Sequence, residues 1–301
     1  MRIGIDLGGT KIEGVVLADN GDLAKKIRMP TPGTDYQAII GSVCSIVQEL
    51  QYHSAQKMTV GIGSPGALSK TTQLMKNCNS ICLNNQPLQQ DIEAALGYGI
   101  RMENDANCFA LSEAHYGSGS QAKSVFGVII GTGTGGGIVI NRELVTGPNS
   151  IAGEWGHNSL PSNARHLIGD DRYCYCGRKN CIETVLSGRG LAATHLERTG
   201  FTLDALEVAE GAKAKIQDCA DSLAIYSKQL ASCLTTVVNL IDPEVIVLGG
   251  GLSNIESLYE SVIRDMDGLV FTDNIETKIC TPSFGDASGA RGAACLWPVN
   301  G

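Results

Sequence analysis

The side chains best suited to metal chemistry are His157, Cys174, Cys176 and Cys181, one imidazole and three thiols with Gly177 at the bend between them. Such a set is the tetrahedral donor group of a structural zinc site. With all four positions filled, it shapes a site instead of activating water. Cys44, Cys78, Cys82, Cys108, Cys219, Cys233, Cys280 and Cys295 lack ligand spacing and read as small buried hydrophobes. Glu154, in AGEWGHN, and Glu183, in CIET, flank the cluster. Folding around a metal would carry both carboxylates to one place, where they suit sugar hydroxyls; taken singly, each is also an ordinary solvated side chain.

Two glycine strings suit phosphate. In Gly4, Ile5, Asp6, Leu7, Gly8, Gly9, Thr10 and Lys11, a strand ends in a carboxylate and turns through two glycines, a hydroxyl and a cation. Backbone N–H groups can approach phosphate oxygens there, Lys11 adds charge, and Asp6 can hold magnesium through water. The Walker spacing GxxxxGK[ST] is absent, and a plain glycine hairpin turn is the alternative. Gly131, Thr132, Gly133, Thr134, Gly135, Gly136 and Gly137 contain GxGxxG, but Ile138 opens a β-branched run where a dinucleotide motif needs a helix. A second phosphate turn fits better. Asn104 and Asp105 end a strand and precede a helix. Asp105 is therefore either a helix N-cap or a general base toward a hydroxyl attacking a phosphoryl group.

These residues need an alternating frame. Strands are expected at Arg2 to Leu7, Ile12 to Leu17, Leu23 to Arg28, Thr59 to Ser64 and Ile100 to Glu103. Apolar spacing at Ile39, Ile40, Val43, Ile46, Val47 and Leu50 predicts a helix over Tyr36 to Leu50, with further helices at Leu88 to Leu96 and Ala106 to His115. From Ser124 to Val145 the opening plan recurs as strand, glycine turn, strand, tight turn at Asn141 and Arg142, strand. Two such halves can face each other and pinch a nucleotide between their turns. The second half continues with helices from Gly188 to Asn239, a strand from Val245 to Leu248 ending in GGG, and a Gly/Ala segment from Gly285. The expected domains are 1–117, small and α/β, and 118–285, larger and carrying the cysteine knuckle, with 286–301 returning to the first.

Composition narrows the partners. The 301 residues are 43% hydrophobic and 18% charged, which excludes a disordered chain. About half of the 37 glycines fall in the strings above and in Gly61 to Gly66, Gly153, Gly156, Gly249 to Gly251 and Gly285 to Gly292, reading as the wall of a nucleotide site. A formal charge of -8, with no Lys/Arg run longer than two, argues against nucleic acid. MRIGIDLGG has no signal-peptide character and no 18-residue apolar stretch spans a membrane, so a cytoplasmic protein is expected. Eleven cysteines then read as buried thiols or ligands before disulfides.

Over its whole length the sequence resembles the ROK family of sugar kinases and sugar-responsive repressors: DLGGTK, ENDAN, GTGTGGG, GEWGH, CYCGRKNCIE, IVLGGG and GARGAA. The resemblance implies a duplicated actin/hexokinase-like (ribonuclease H-like) two-domain α/β fold with a central ATP/sugar cleft. It implies ATP on Gly4 to Lys11 and on Gly131 to Ile138, with Gly249, Gly250 and Gly251 on the adenosine side, and magnesium and structural zinc as cofactors. Asp105 matches the family's base; Asn104, Glu154, His157 and Glu183 match its sugar set, with His157 binding zinc by one ring nitrogen and sugar by the other. KNCNSICLNNQPL looks most like the bacterial fructokinase/mannokinase branch, with Asn79 on the sugar, so phosphorylation of the 6-hydroxyl of fructose or mannose is expected. Ile81 and Cys82 stand where that loop carries an aromatic, and DANCFALSEA and LSGRG resemble N-acetylglucosamine kinases; glucokinase is a further alternative. A repressor would carry a DNA-reading segment ahead of the motif that here begins at Gly4, and an actin-like ATPase has no use for the knuckle. A homodimer is compatible with the family, and the apolar Leu223 to Leu240 stretch suits either its interface or the monomer core.

Overall fold

The computed structural model describes residues 1–52, 54 and 56–299. Its elements begin with β1 (Arg2–Leu7), β2 (Lys11–Leu17), β3 (Leu23–Pro30), α1 (Tyr36–Gln51), β4 (Thr59–Ser64), β5 (Ala67–Leu68), β6 (Met75–Lys76), α2 (Leu88–Leu96), β7 (Arg101–Asn104) and α3 (Asp105–Tyr116). They continue with β8 (Ser124–Ile130), β9 (Thr134–Ile140), β10 (Glu143–Leu144), α4 (Ser162–Arg165), α5 (Glu183–Leu186), α6 (Gly188–Thr199), α7 (Ala205–Lys213) and α8 (Gln217–Ile241). The last are β11 (Val245–Gly249), α9 (Ser257–Met266), β12 (Lys278–Cys280) and α10 (Ser288–Cys295).

Two five-stranded sheets share one plan. The first runs β3-β2-β1-β4-β7 and the second β10-β9-β8-β11-β12. In the first, β1 pairs antiparallel with β2 and parallel with β4, Gly4 facing Val15 and Gly61. In the second, β11 lies parallel to both β8 and β12. The repeat legible in the sequence is thus a repeat of topology.

Contacts group the chain into two units, one of Met1–Gln121, Gly137–Ala152 and the segment from Ser283 onward, the other of Ala122–Gly136 and Gly153–Pro282. The grouping divides β9 after Gly136. A Cβ on Gly137 would lie 2.7 Å from the Ala106 carbonyl oxygen and 2.8 Å from Ala110 Cβ, so this residue packs against α3.

In the first unit, α1 buries Ile39, Ile40, Val43, Ile46, Val47 and Leu50, and Asp35 caps it by accepting from the Ala38 N–H at 3.0 Å. These side chains meet Ile3, Ile5, Ile12 and Ile62 in one core. Helix α10 lies against β1, β4 and α3 so closely that a Cβ on Gly4, Gly61 or Gly292 would overlap a backbone carbonyl of Ala290, Ala293 or Cys108. Those three glycines serve helix packing, which corrects their reading as site wall.

In the second unit, α8 buries Leu223, Tyr226, Leu230, Leu234, Val237 and Val238 within the single chain, leaving Leu240 85% exposed. Among the described residues, no helix is long and apolar enough to cross a membrane.

Candidate functional site

In the first unit, Gly4, Ile5 and Leu7 are buried, whereas Gly9 and Thr10 are exposed at the β1–β2 turn. Atoms able to meet phosphate therefore concentrate in Gly8 to Lys11, with Asp6 half-buried beside them. The turn is closed by the Gly8 N–H on the Lys11 carbonyl at 3.0 Å and braced by Thr31, whose hydroxyl donates to the Gly8 carbonyl at 2.7 Å. A Cβ on Gly9 would sit 3.5 Å from Ser80 Oγ, which brings the Asn79 loop beside this turn. Asn84 holds that loop, accepting from the Cys78 N–H at 2.8 Å and donating to the Cys78 carbonyl at 3.0 Å. Asn79 itself is exposed.

Asn104 takes the cap of α3, its Oδ1 accepting from the Ala106 N–H at 2.8 Å and the Asn107 N–H at 3.3 Å. Its Nδ2 donates to the Gly66 carbonyl at 3.1 Å. Asp105 is thereby the first residue of the helix and not its cap, with Oδ1 2.8 Å from the Ala106 nitrogen. The Cys108 thiol, fully buried, is pushed well up by burial and then by the charges of Glu103, Asp6 and Asp105. Asp6 and Asp105 thus act on one neighbourhood. Burial, with Cys82 and Asp105 adding to it, pushes the Cys78 thiol up to about 12.

In the second unit, the donor atoms of His157, Cys174, Cys176 and Cys181 lie within 4.8 Å of one another. Cys174 Sγ is 3.5 Å from His157 Nδ1, and the Cys176 and Cys181 sulfurs are 3.6 Å apart. Tetrahedral coordination with Zn–S of ~2.3 Å and Zn–N of ~2.0 Å needs edges of about 3.5 to 3.8 Å, which these two edges match, and the donor types are those zinc takes. Gly177, at φ 86°, allows the knuckle its turn. Burial opposes ionisation of Cys176, but hydrogen bonds with Arg178, Cys174 and Cys181 bring its thiol down to about 6, supplying the thiolate a metal requires. His157 Nε2 lies 3.0 Å from the Tyr175 hydroxyl, with the rings edge to face at 5.1 Å. Here, then, a protein hydroxyl meets the ring nitrogen that the resemblance turns toward sugar.

Tyr175 also gathers the flanking carboxylates. Burial raises its hydroxyl pKa, and the charges of Glu183 and Glu154 raise it further. Glu183 Oε2 accepts from the Thr134 N–H at 3.0 Å, joining the knuckle to the glycine turn. That turn abuts the other glycine string: the Gly188 N–H donates to the Gly131 carbonyl at 2.7 Å, and a Cβ on Gly131 would lie 4.0 Å from Gly250 Cα. Gly250, at φ 83°, has no room for a Cβ, which would sit 2.6 Å from the Ile130 carbonyl oxygen.

A ROK family model matches residues 2–300. The chain belongs to the ROK family. It is 36% identical over 301 residues to the N-acetyl-D-glucosamine kinase of Pasteurella multocida (strain Pm70), covering 99% of each chain. The structure of a ROK hexokinase from Thermus thermophilus matches with a TM-score of 0.86 and 26% identity, over 98% of this chain and 96% of that one. A ROK-family glucokinase from Streptomyces griseus, in complex with glucose and AMPPNP, matches at 0.78 and 25%, over 98% of each chain.

Sequence reasoning missed several residues that brace the elements of this ROK chain. Arg172 donates to the Thr184 and Gly190 carbonyls, to Thr194 Oγ1 and to Glu197 Oε2, tying the knuckle to α5 and α6. Glu113, fully buried, accepts from the Ser118 and Ser283 N–H groups and the Ser288 hydroxyl. Arg172 lies just outside the CYCGRKNCIE string, and Glu113 lies within DANCFALSEA but has no spacing there that marks a brace. Tyr175, between two of the cysteines, carried the nearest thing to a signal.

Proposed function

We propose that the chain is an ATP-dependent kinase that phosphorylates the 6-hydroxyl of N-acetylglucosamine. The observation that carries the phosphoryl-transfer reading is the division of labour at α3: Asn104 caps the helix and Asp105 does not. In this reading the Asp105 carboxylate accepts the proton of the sugar hydroxyl as its oxygen attacks the γ-phosphorus, and the bond to the ADP oxygen breaks. Gly8 to Lys11 and Gly131 to Ile138 offer backbone N–H groups and the Lys11 charge to the phosphates, with Gly249 to Gly251 on the adenosine side. Magnesium held through water at Asp6 would neutralise phosphate charge. Asn79, Glu154 and Glu183 would supply acceptors and donors for sugar hydroxyls; Asn104, which caps α3, and His157, whose Nε2 meets the Tyr175 hydroxyl, would join them by exchanging those partners for sugar. Zinc on His157, Cys174, Cys176 and Cys181 would hold the knuckle's shape.

The acceptor rests on kinship. Whole-length identity to an N-acetyl-D-glucosamine kinase favours that sugar over the fructose or mannose expected from the Asn79 loop. Asp105→Asn is the direct test. Turnover is expected to fall by about 10²–10⁴-fold while calorimetric sugar affinity stays within a few-fold. Near-normal turnover would remove Asp105 from the chemistry.

A further inference from the structure

Two limbs of the knuckle grip the Gly131–Gly137 turn from different directions. One limb leaves Cys181 and reaches Glu183, whose Oε2 accepts from the Thr134 N–H at 3.0 Å. A Cβ on Gly133 would stand 2.7 Å from that same oxygen, so the carboxylate is seated against the turn. The other limb approaches His157 through Trp155 and Gly156. Trp155 Nε1–H donates to the Gly135 carbonyl at 2.9 Å, and the Trp155 ring stands edge-on to Phe126 at 5.6 Å. Gly156 lies so near the Thr134 carbonyl that a Cβ there would overlap it.

Each grip is therefore one or two residues from a metal-ligating side chain, and the peptide planes on both sides of Thr134 are fixed by limbs that a tetrahedral ion would join. We propose that the His157/Cys174/Cys176/Cys181 centre positions the phosphate-binding turn, so that metal occupancy and nucleotide affinity are coupled. This rests on the reading of Gly131–Gly137 as a phosphate turn. A turn already held in its binding conformation forfeits less entropy when phosphate oxygens dock on its N–H groups. Coupling of this kind is reciprocal: what the metal does for nucleotide, nucleotide does for metal. Glu183 and Trp155 are the positioning residues through which it passes.

The test measures binding, not turnover. A nonhydrolysable ATP analogue with magnesium is titrated calorimetrically, without sugar, into zinc-loaded and chelator-stripped protein. Stripping is expected to weaken binding about tenfold, within the usual 5–150-fold span of such couplings, and saturating analogue is expected to slow metal loss to a colorimetric chelator. Should the stripped chain unfold by circular dichroism, Glu183→Ala and Trp155→Phe decide the matter with the metal retained. Both are expected to weaken analogue binding several-fold at unchanged metal content, and Glu183→Gln, which keeps an acceptor for the Thr134 N–H, to recover most of the loss. Equal affinity in folded stripped and loaded protein, or in both variants, would overturn the coupling. If zinc-loaded wild type binds no analogue, the phosphate-turn reading itself falls.

Discussion

Asp105 and Asn104 show how much one residue of placement decides. Both side chains are competent N-caps, and the sequence left the capping and catalytic readings of Asp105 open; the structure gives the cap to Asn104. Tyr175 and Glu113 belong to a different class, because their partners are brought to them by the fold. The Tyr175 hydroxyl fixes the second nitrogen of His157 and so orients the ring that faces the thiols. Outer-shell partners of this kind usually change metal affinity by about 10–100-fold. Tyr175→Phe is expected to lose zinc to a chelator at least tenfold more readily, and unchanged release would deny the hydroxyl this part. Buried Glu113 accepts from the N–H groups of Ser118 and Ser283, both exposed residues, and from the hydroxyl of buried Ser288. With ~1–3 kcal/mol at stake for a buried group left unpaired, and the N–H groups of the two exposed serines able to turn to water, Glu113→Ala should lower unfolding free energy by about 1–3 kcal/mol in urea.

At the scale of elements, periodicity was a sound guide. The three-and-four spacing of α1 matches its buried face, and the turn at Asn141 and Arg142 has φ of 52° and 66°, the left-handed pair that a tight hairpin needs. What periodicity cannot carry is the partner of a glycine. Gly61 counts in the sequence among the glycines of a nucleotide-site wall, yet its missing side chain admits α10. Gly61→Ala should therefore destabilise by about 1–3 kcal/mol. By contrast, Gly41, exposed in α1 with open space around it, should stabilise by about 0.5–1 kcal/mol as Ala, and the two thermal midpoints should move in opposite directions. The knuckle also has an acid-sensitive strut. Hydrogen bonds from Asn180, Lys179 and Arg165 hold the Asp171 carboxyl down at about 2. A depressed folded-state value means the stabilisation is complete above the unfolded value of 3.8 and is lost as pH falls toward 2. The thermal advantage of wild type over Asp171→Asn should accordingly be present at neutral pH and vanish across that window.

For the whole molecule, duplication was legible because each half opens with strand, glycine turn and strand, a local pattern that survives without knowledge of contacts. The ten-strand consequence, two sheets of identical order, followed from it. The return of Gly137–Ala152 to the first unit did not, since it depends on Gly137 lying against α3. The sugar was the least legible feature. Asn79 lies on an exposed loop held by Asn84, and nothing in the spacing of that loop names a hexose; the proposed acceptor rests instead on whole-length similarity to an N-acetyl-D-glucosamine kinase. The decisive measurement is coupled ADP release by the purified chain with magnesium-ATP and equal concentrations of N-acetylglucosamine, fructose, mannose or glucose. Sugar-dependent release is expected, with kcat/KM for N-acetylglucosamine at least about tenfold above the others, roughly 1.4 kcal/mol of transition-state preference. Faster turnover of fructose or mannose would contradict the acceptor, and release independent of every sugar would contradict the kinase.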